Sequence, residues 1–202
     1  MPTPIGHSLA GTAIRLAAGK SVAARWWTWP LIVVLANLPD IDFLPGYLVG
    51  DPRKYHWAAT HSIAAALIVG LLVGAVVRWR GGRFALPFTI ATAAYLSHIL
   101  LDTLIGPGPT PSLGLMVFWP FDTSRYMFPW SVFRMAPASI ASDGPIGALF
   151  SVGILPVIAR EVLVLGPVVT ACWVLARIRR SADSSRNWMT SPFQRRAAGT
   201  DQ

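Results

Sequence analysis

Apolar residues in this chain gather into long runs, and the polar residues fall into short clusters between them. The strongest run covers residues 84–105, which would rise ~33 Å as a helix and so reach across a bilayer. Runs 29–38, 63–77 and 162–176 predict further helices, with charge confined to their flanks. Residues 6–18 predict a shorter helix, too short to span a membrane alone and therefore half-embedded. Residues 145–158 predict a membrane-surface segment, broken from the last span at Arg160-Glu161. Residues 106–144 carry many prolines and aromatics, among them Pro107, Pro111, Trp119, Pro120 and Trp130, and predict a long packed or interfacial loop. This pattern is that of an all-α polytopic membrane bundle with about four to five embedded helices. One domain is expected over 1–176, followed by a basic, disordered cytoplasmic tail over 177–202.

Composition sharpens the class. Only 13% of residues are charged, against about 25% in ordinary soluble domains. With 53% hydrophobic residues and a mean hydropathy of +0.51, the chain lacks the charge to cover a water-facing surface. The net charge of +8 does not point to nucleic acid, because the basic residues sit in clusters without interleaved aromatics. Cys172 is the only cysteine, which excludes an internal disulfide and a thiolate metal cage. The opening residues show no basic segment followed by an apolar one, so insertion is expected from the internal helices rather than from a cleaved signal peptide.

The basic clusters orient the bundle. Arg15/Lys20/Arg25, Arg78/Arg80/Arg83 and the residues from Arg177 to Arg196 hold most of the 17 lysines and arginines. Placing all three in the cytoplasm follows the positive-inside rule and needs one crossing between each pair. Asp40, Asp42, His61, His98, Asp102 and His7 then fall at the opposite end. All four histidines of the chain converge there, together with three acids. Scattered packing histidines have no reason to do so.

The chemistry of the set follows from its donors. His98 and Asp102 lie about 40° apart on one helix face, so both reach a common point. Imidazole and carboxylate without thiolate suit zinc or another divalent first-row metal. His7, Asp40, Asp42, His56, His61, His98 and Asp102 are too many for one tetrahedral centre and fit two metals sharing a carboxylate. Asp40 and Asp42 follow Pro39 in what reads as extended chain, where i and i+2 share a side. Both then ligate, or one supports a histidine. His56 is expected in the loop and His61 in the first helical turn, with Thr60 or Ser62 as cap. Simpler roles compete: Asp40 as a helix-end residue, His7 as a cap, Arg53 and Lys54 as solvated charges rather than grips for an anionic substrate.

His7, Leu38-Pro39-Asp40-Ile41-Asp42, His56-x4-His61-Ser62, Ser97-His98-x3-Asp102 and Pro120-Phe121 together resemble the YdjM-like family of bacterial and archaeal inner-membrane proteins. That family is described as membrane-bound metal-dependent hydrolases, distantly similar to zinc-dependent phospholipase C and P1-type nucleases. The resemblance implies metal binding by His7, Asp40, His56, His61, His98 and Asp102. It implies zinc, or manganese, as one to three ions. Trp57-Ala58 stands where the family usually has Arg-Gly, which implies altered substrate binding. The function expected is hydrolysis of a phosphoester of a lipid or lipid-linked substrate at the non-cytoplasmic membrane surface, with Asp42 or Asp40 as general base. The alternative is a non-catalytic metal-binding membrane protein with a structural, transport or scaffold role.

Overall fold

The computed structural model describes residues 1–52, 54–106, 114–134 and 152–189, and the regular elements among those residues are helices, with no strand. Helix α1 (Pro4–Ala17) starts at Thr3, whose hydroxyl accepts from the Ile5 amide, and Pro4 fills the first turn, where its missing N–H costs nothing. A short helix, α2 (Lys20–Ala23), turns the chain into α3 (Thr28–Asn37). A 3-10 turn over Leu38–Asp42 carries α3 into α4 (Phe43–Leu48), so that Thr28–Leu48 forms one apolar helical stretch of 21 residues. Pro39 does not end the helix, because it sits in the first turn of the 3-10 segment. Asp40 and Asp42 therefore lie in a tight turn, not in the extended chain that the sequence predicts. A second 3-10 turn, Ala59–His61, precedes α5 (Ile63–Trp79), whose cap is Ser62, accepting from the Ala65 amide. Helix α6 (Ala85–Thr103) follows the basic turn.

The last helix, α7 (Leu155–Met189), runs unbroken through Arg160 and Glu161 and past Pro167. The expected break fails because both charges find partners. Glu161 faces inward and accepts from the Thr3 amide and hydroxyl, each at 2.5 Å, while Arg160 donates to the Val132 carbonyl at 2.6 Å. The helix also continues beyond residue 177, into the segment expected as a tail. The first half of the surface segment expected at 145–158 lies outside the described residues, and the second half forms a 3-10 turn (Val152–Ile154) and the first residues of α7.

Among the described residues, three stretches are long and apolar enough to cross a membrane: Thr28–Leu48, Ala85–Thr103 and Leu155–Ala182; α5 is a shorter apolar helix. Their outward faces expose large hydrophobics such as Leu67, Leu71 and Leu72 on α5 and Leu163, Val168 and Trp173 on α7. That is the surface hydrocarbon covers and water does not. Inside, small residues bring helices close. A Cβ at Gly70 would stand 2.0 Å from the Thr92 hydroxyl, and one at Gly74 would stand 2.7 Å from the Phe84 ring. Glycines four apart thus set the α5–α6 contact.

The contacts fix helix direction. Thr3 meets Glu161 near the start of α1 and α7, and Lys20 donates to the Arg180 carbonyl at 3.4 Å near their other ends. Helices α1, α5 and α7 therefore run one way, α3 and α6 the other. Arg15/Lys20/Arg25, Arg78/Arg80/Arg83 and Arg177/Arg179/Arg180 fall at one end, where Trp26 and Trp79 are exposed, as interfacial tryptophans are. At the other end, residues 114–134 fold over the helix ends. Leu115 pairs with Tyr126, Met116 donates to the Trp57 carbonyl, Ile63 to that of Val117, and Phe128 to that of Thr103.

Candidate metal centre

Four elements deliver the polar side chains to the capped end. Helix α1 brings His7, the 3-10 turn after α3 brings Asp40 and Asp42, the turn before α5 brings His56 and His61, and α6 brings His98 and Asp102. His7, His61, His98 and Asp102 are fully buried, Asp42 and His56 nearly so. Asp40 keeps the most access, with 11% of its side chain exposed. All seven residues selected from the sequence thus share one pocket.

Their hydrogen bonds have a direction. His98 Nδ1 lies 2.8 Å from the Ala36 carbonyl, which can only accept, so Nδ1 carries the proton. His61 Nδ1 faces Asp42 Oδ2 at 3.1 Å, and His56 Nδ1 faces Asp42 Oδ1 at 3.0 Å. Thr60 donates to Asp42 Oδ2 at 2.8 Å. Each of these three rings commits Nδ1 to an acceptor, and His61 and His98 turn Nε2 toward each other. His61 Nε2 and His98 Nε2 stand 3.2 Å apart, and Asp40 Oδ1 lies 3.7 and 3.4 Å from them. Asp102 Oδ2 is 3.6 and 3.7 Å from the same two atoms, and Asp102 Oδ1 is 3.5 Å from His7 Nε2. His7 Nδ1 and Nε2, Asp40 Oδ1, His56 Nε2 and Asp102 Oδ1 are buried with no hydrogen-bond partner.

Unpaired buried polar atoms cost about 1–3 kcal/mol each unless something satisfies them. Here His7 Nε2 faces Asp102 Oδ1 at 3.5 Å and Asp40 Oδ1 faces His98 Nε2 at 3.4 Å, which is the disposition of ligand atoms around a cation. Three sets bring their ligand atoms within 4.8 Å: His7/Asp40/His98, Asp40/His56/His61 and His61/His98/Asp102. Each could hold a metal ion. Asp42 belongs to none of them. Burial and the neighbouring His98 push the His7 pKa down to about 4, keeping that ring neutral. Burial alone would also lower the pKa of His61, but hydrogen bonds to Asp40 and Asp42 and the nearby Asp102 outweigh it and raise it to about 9. The carboxylates thus favour positive charge on His61, while burial disfavours it on His7 and His56.

Sequence reasoning missed the supporting residues. The Trp57 indole N–H donates to Asp102 Oδ2 at 2.7 Å, and its backbone holds a φ of 65°, the left-handed region. The Tyr95 hydroxyl donates to the Thr60 carbonyl at 2.7 Å. Tyr95 was within reach, since it shares a face of α6 with His98 and Asp102; the Ala36 carbonyl carries no sequence signal. Of the residues proposed to face substrate, Lys54 is exposed and lies over the Tyr55 ring, while Arg53 lies outside the described residues. Arg125 donates to the Gly114 carbonyl and braces the covering loop.

The chain matches the model of the YdjM inner membrane protein family over residues 1–183. It belongs to that family. It is also 32% identical over 145 residues to the inner membrane protein YbcI of Escherichia coli strain K12, a match covering 70% of this chain and 80% of the relative. No solved structure matches it. The family match reaches through α7 to residue 183, beyond the motifs around the pocket, so it includes the helix that carries Glu161.

Proposed function

We propose that this YdjM-family membrane protein is a divalent-metal-dependent hydrolase that cleaves a phosphoester of a lipid or lipid-linked substrate at the non-cytoplasmic membrane surface. The observation that carries the metal is the facing pair His61 Nε2 and His98 Nε2, 3.2 Å apart, with both Nδ1 atoms already committed to acceptors. Two neutral imidazoles cannot share such a contact without a cation or a proton between them. His7, Asp40, His56, His61, His98 and Asp102 would hold the ions, zinc or manganese, with Asp40 common to two of the three sets. A divalent ion supplies Lewis-acid polarisation and acidifies water, the two functions phosphoester hydrolysis needs.

The protein's own groups divide the remaining work. Asp42 has both oxygens taken by His56, His61 and Thr60, so it orients the rings and fixes their tautomers. Asp40 keeps the widest access of the seven residues, which makes it the better placed of the two acids to meet a substrate and accept a proton. The nearly complete burial of the other residues favours one rival, a structural metal with a closed coordination sphere.

The deciding experiment is elemental analysis of detergent-purified protein alongside its turnover of phospholipids and a chromogenic phosphodiester. Bound zinc or manganese with metal-dependent product is expected. Bound metal without product on any substrate would favour the structural rival, and no metal after reloading would end both readings.

A further inference from the structure

Beside the polar pocket, on the opposite face of α6, runs an apolar groove of about 850 Å³. Its floor is α1, its walls are α6 and α7, and the covering loop closes one end with Phe118 and Phe128. We propose that this groove holds an acyl chain of a diacyl phospholipid, the hydrocarbon part of the substrate; the inference rests on the phosphoesterase reading above.

Three observations lead there. Along α6 the lining runs from Ala93 to Thr103, a rise of ~15 Å at 1.5 Å per residue, which is one leaflet of a ~30 Å hydrocarbon core. A groove confined to one leaflet fits the tail of a lipid from that leaflet. At that depth the occupant is hydrocarbon, because the lining is apolar except for Ser97, Thr103 and Tyr126, whose hydroxyls already donate to the Ala94 and Leu100 carbonyls and to Asp122.

The second observation is position. Leu9 follows His7 by two residues, Ile63 follows His61 by two, and Ser97 and Thr103 adjoin His98 and Asp102. The groove's closed end is thus level with the candidate ligands, and a chain lying in it brings its phosphate end to their height. The third is that α6 and α7 stand apart. Helix α1 packs on both of them, and the gap between them is lined by small side chains such as Ala13 and Ala93. Filling that gap with larger side chains would have been the simpler way to seal the bundle.

The test uses the full chain purified in detergent, with phospholipid counted by native mass spectrometry and metal by elemental analysis. Ala93→Phe and Ser97→Phe fill the groove from α6, and Leu67→Phe, on the exposed face of α5, adds the same ring elsewhere. Displacing two or so methylenes from apolar contact weakens binding roughly tenfold at ~0.8 kcal/mol each. Wild type and Leu67→Phe are expected to retain phospholipid that both groove variants lose, with metal content unchanged in all four. Equal phospholipid in all four proteins would overturn the groove. Its loss in the groove variants from proteins that bind no metal would support the groove and overturn the phosphoesterase reading instead. A nitroxide-labelled phosphatidylcholine, titrated by spin resonance, repeats the comparison at equilibrium. An immobilised fraction that persists in Ala93→Phe would count against the proposal even if that variant folds less well.

Discussion

His7 and His98 stack, with ring centroids 3.6 Å apart and planes 14° from parallel, although one ring opens the chain's first helix and the other sits near the end of α6. Stacking brings the unpaired nitrogens of His7 into the same small volume as Asp40 Oδ1 and His98 Nε2. The contact could serve packing or ligation, and one substitution separates them. His7→Phe keeps a ring against His98 and removes both nitrogens. Metal affinity, measured by competition with a chromogenic chelator, is expected to fall at least tenfold, the lower bound of what even outer-shell losses cost at metal sites. Helical content by circular dichroism is expected to stay. Unchanged affinity would make His7 a packing residue.

Asp42 offers a sharper separation. If it orients His56 and His61, Asp42→Asn weakens metal binding by roughly 10–100-fold, and hydrolysis recovers at saturating metal. Asp40→Asn weakens metal binding too, since Asp40 belongs to two of the ligand sets, but its activity stays low however much metal is supplied, because the proton acceptor is gone. Rates for both variants across a metal titration decide between the two acids. Recovery of Asp40→Asn with metal would return the catalytic role to Asp42.

Trp57 holds a backbone conformation that bulky residues rarely adopt, and its surroundings show what sustains it. A bulky residue at a φ of 65° carries backbone strain of about 1–3 kcal/mol, sustained only where the surroundings fix it. What fixes it here is the indole bond to Asp102 and the Met116 amide on its carbonyl. Trp57→Phe keeps the apolar body in its cluster with Tyr95 and Leu115 but leaves Asp102 Oδ2 without its donor. A stability loss of about 1–3 kcal/mol by thermal unfolding is expected, with metal affinity lowered as for other supporting residues. Loss of stability alone would confine Trp57 to packing.

These residues also mark how far the sequence could be read. The helices were legible because period and length decide them, and the convergence of four histidines followed from counting crossings between basic clusters. The 3-10 turn at Asp40 and Asp42 was not, since Pro39 reads as a helix stop when its place in a first turn is unseen. The unbroken α7 was hidden because Arg160 and Glu161 look like a polar interruption until Thr3 and the Val132 carbonyl, distant in sequence, supply their partners. Division of labour between Asp40 and Asp42 rests on which oxygens are already bonded, and spacing carries no record of that.

The orientation of the bundle makes the last prediction. Among the described residues, Arg15/Lys20/Arg25, Arg78/Arg80/Arg83 and Arg177/Arg179/Arg180 lie at one end and the histidines at the other, and the positive-inside rule turns that polarity into sidedness. Ser124 is exposed on the loop covering the histidine end, and Arg83 is exposed in the turn at the basic end. Cys172 is replaced by alanine, and a single cysteine is placed at either position. A membrane-impermeant maleimide added to intact cells with a permeabilised outer envelope is expected to label Ser124→Cys. Arg83→Cys should react only after the inner membrane is broken. One arginine among three in that cluster is too few to invert the bundle, since the Arg15/Lys20/Arg25 and Arg177/Arg179/Arg180 groups remain. The opposite labelling would put the metal centre in the cytoplasm, and the substrate would then have to be sought among lipids of the inner leaflet.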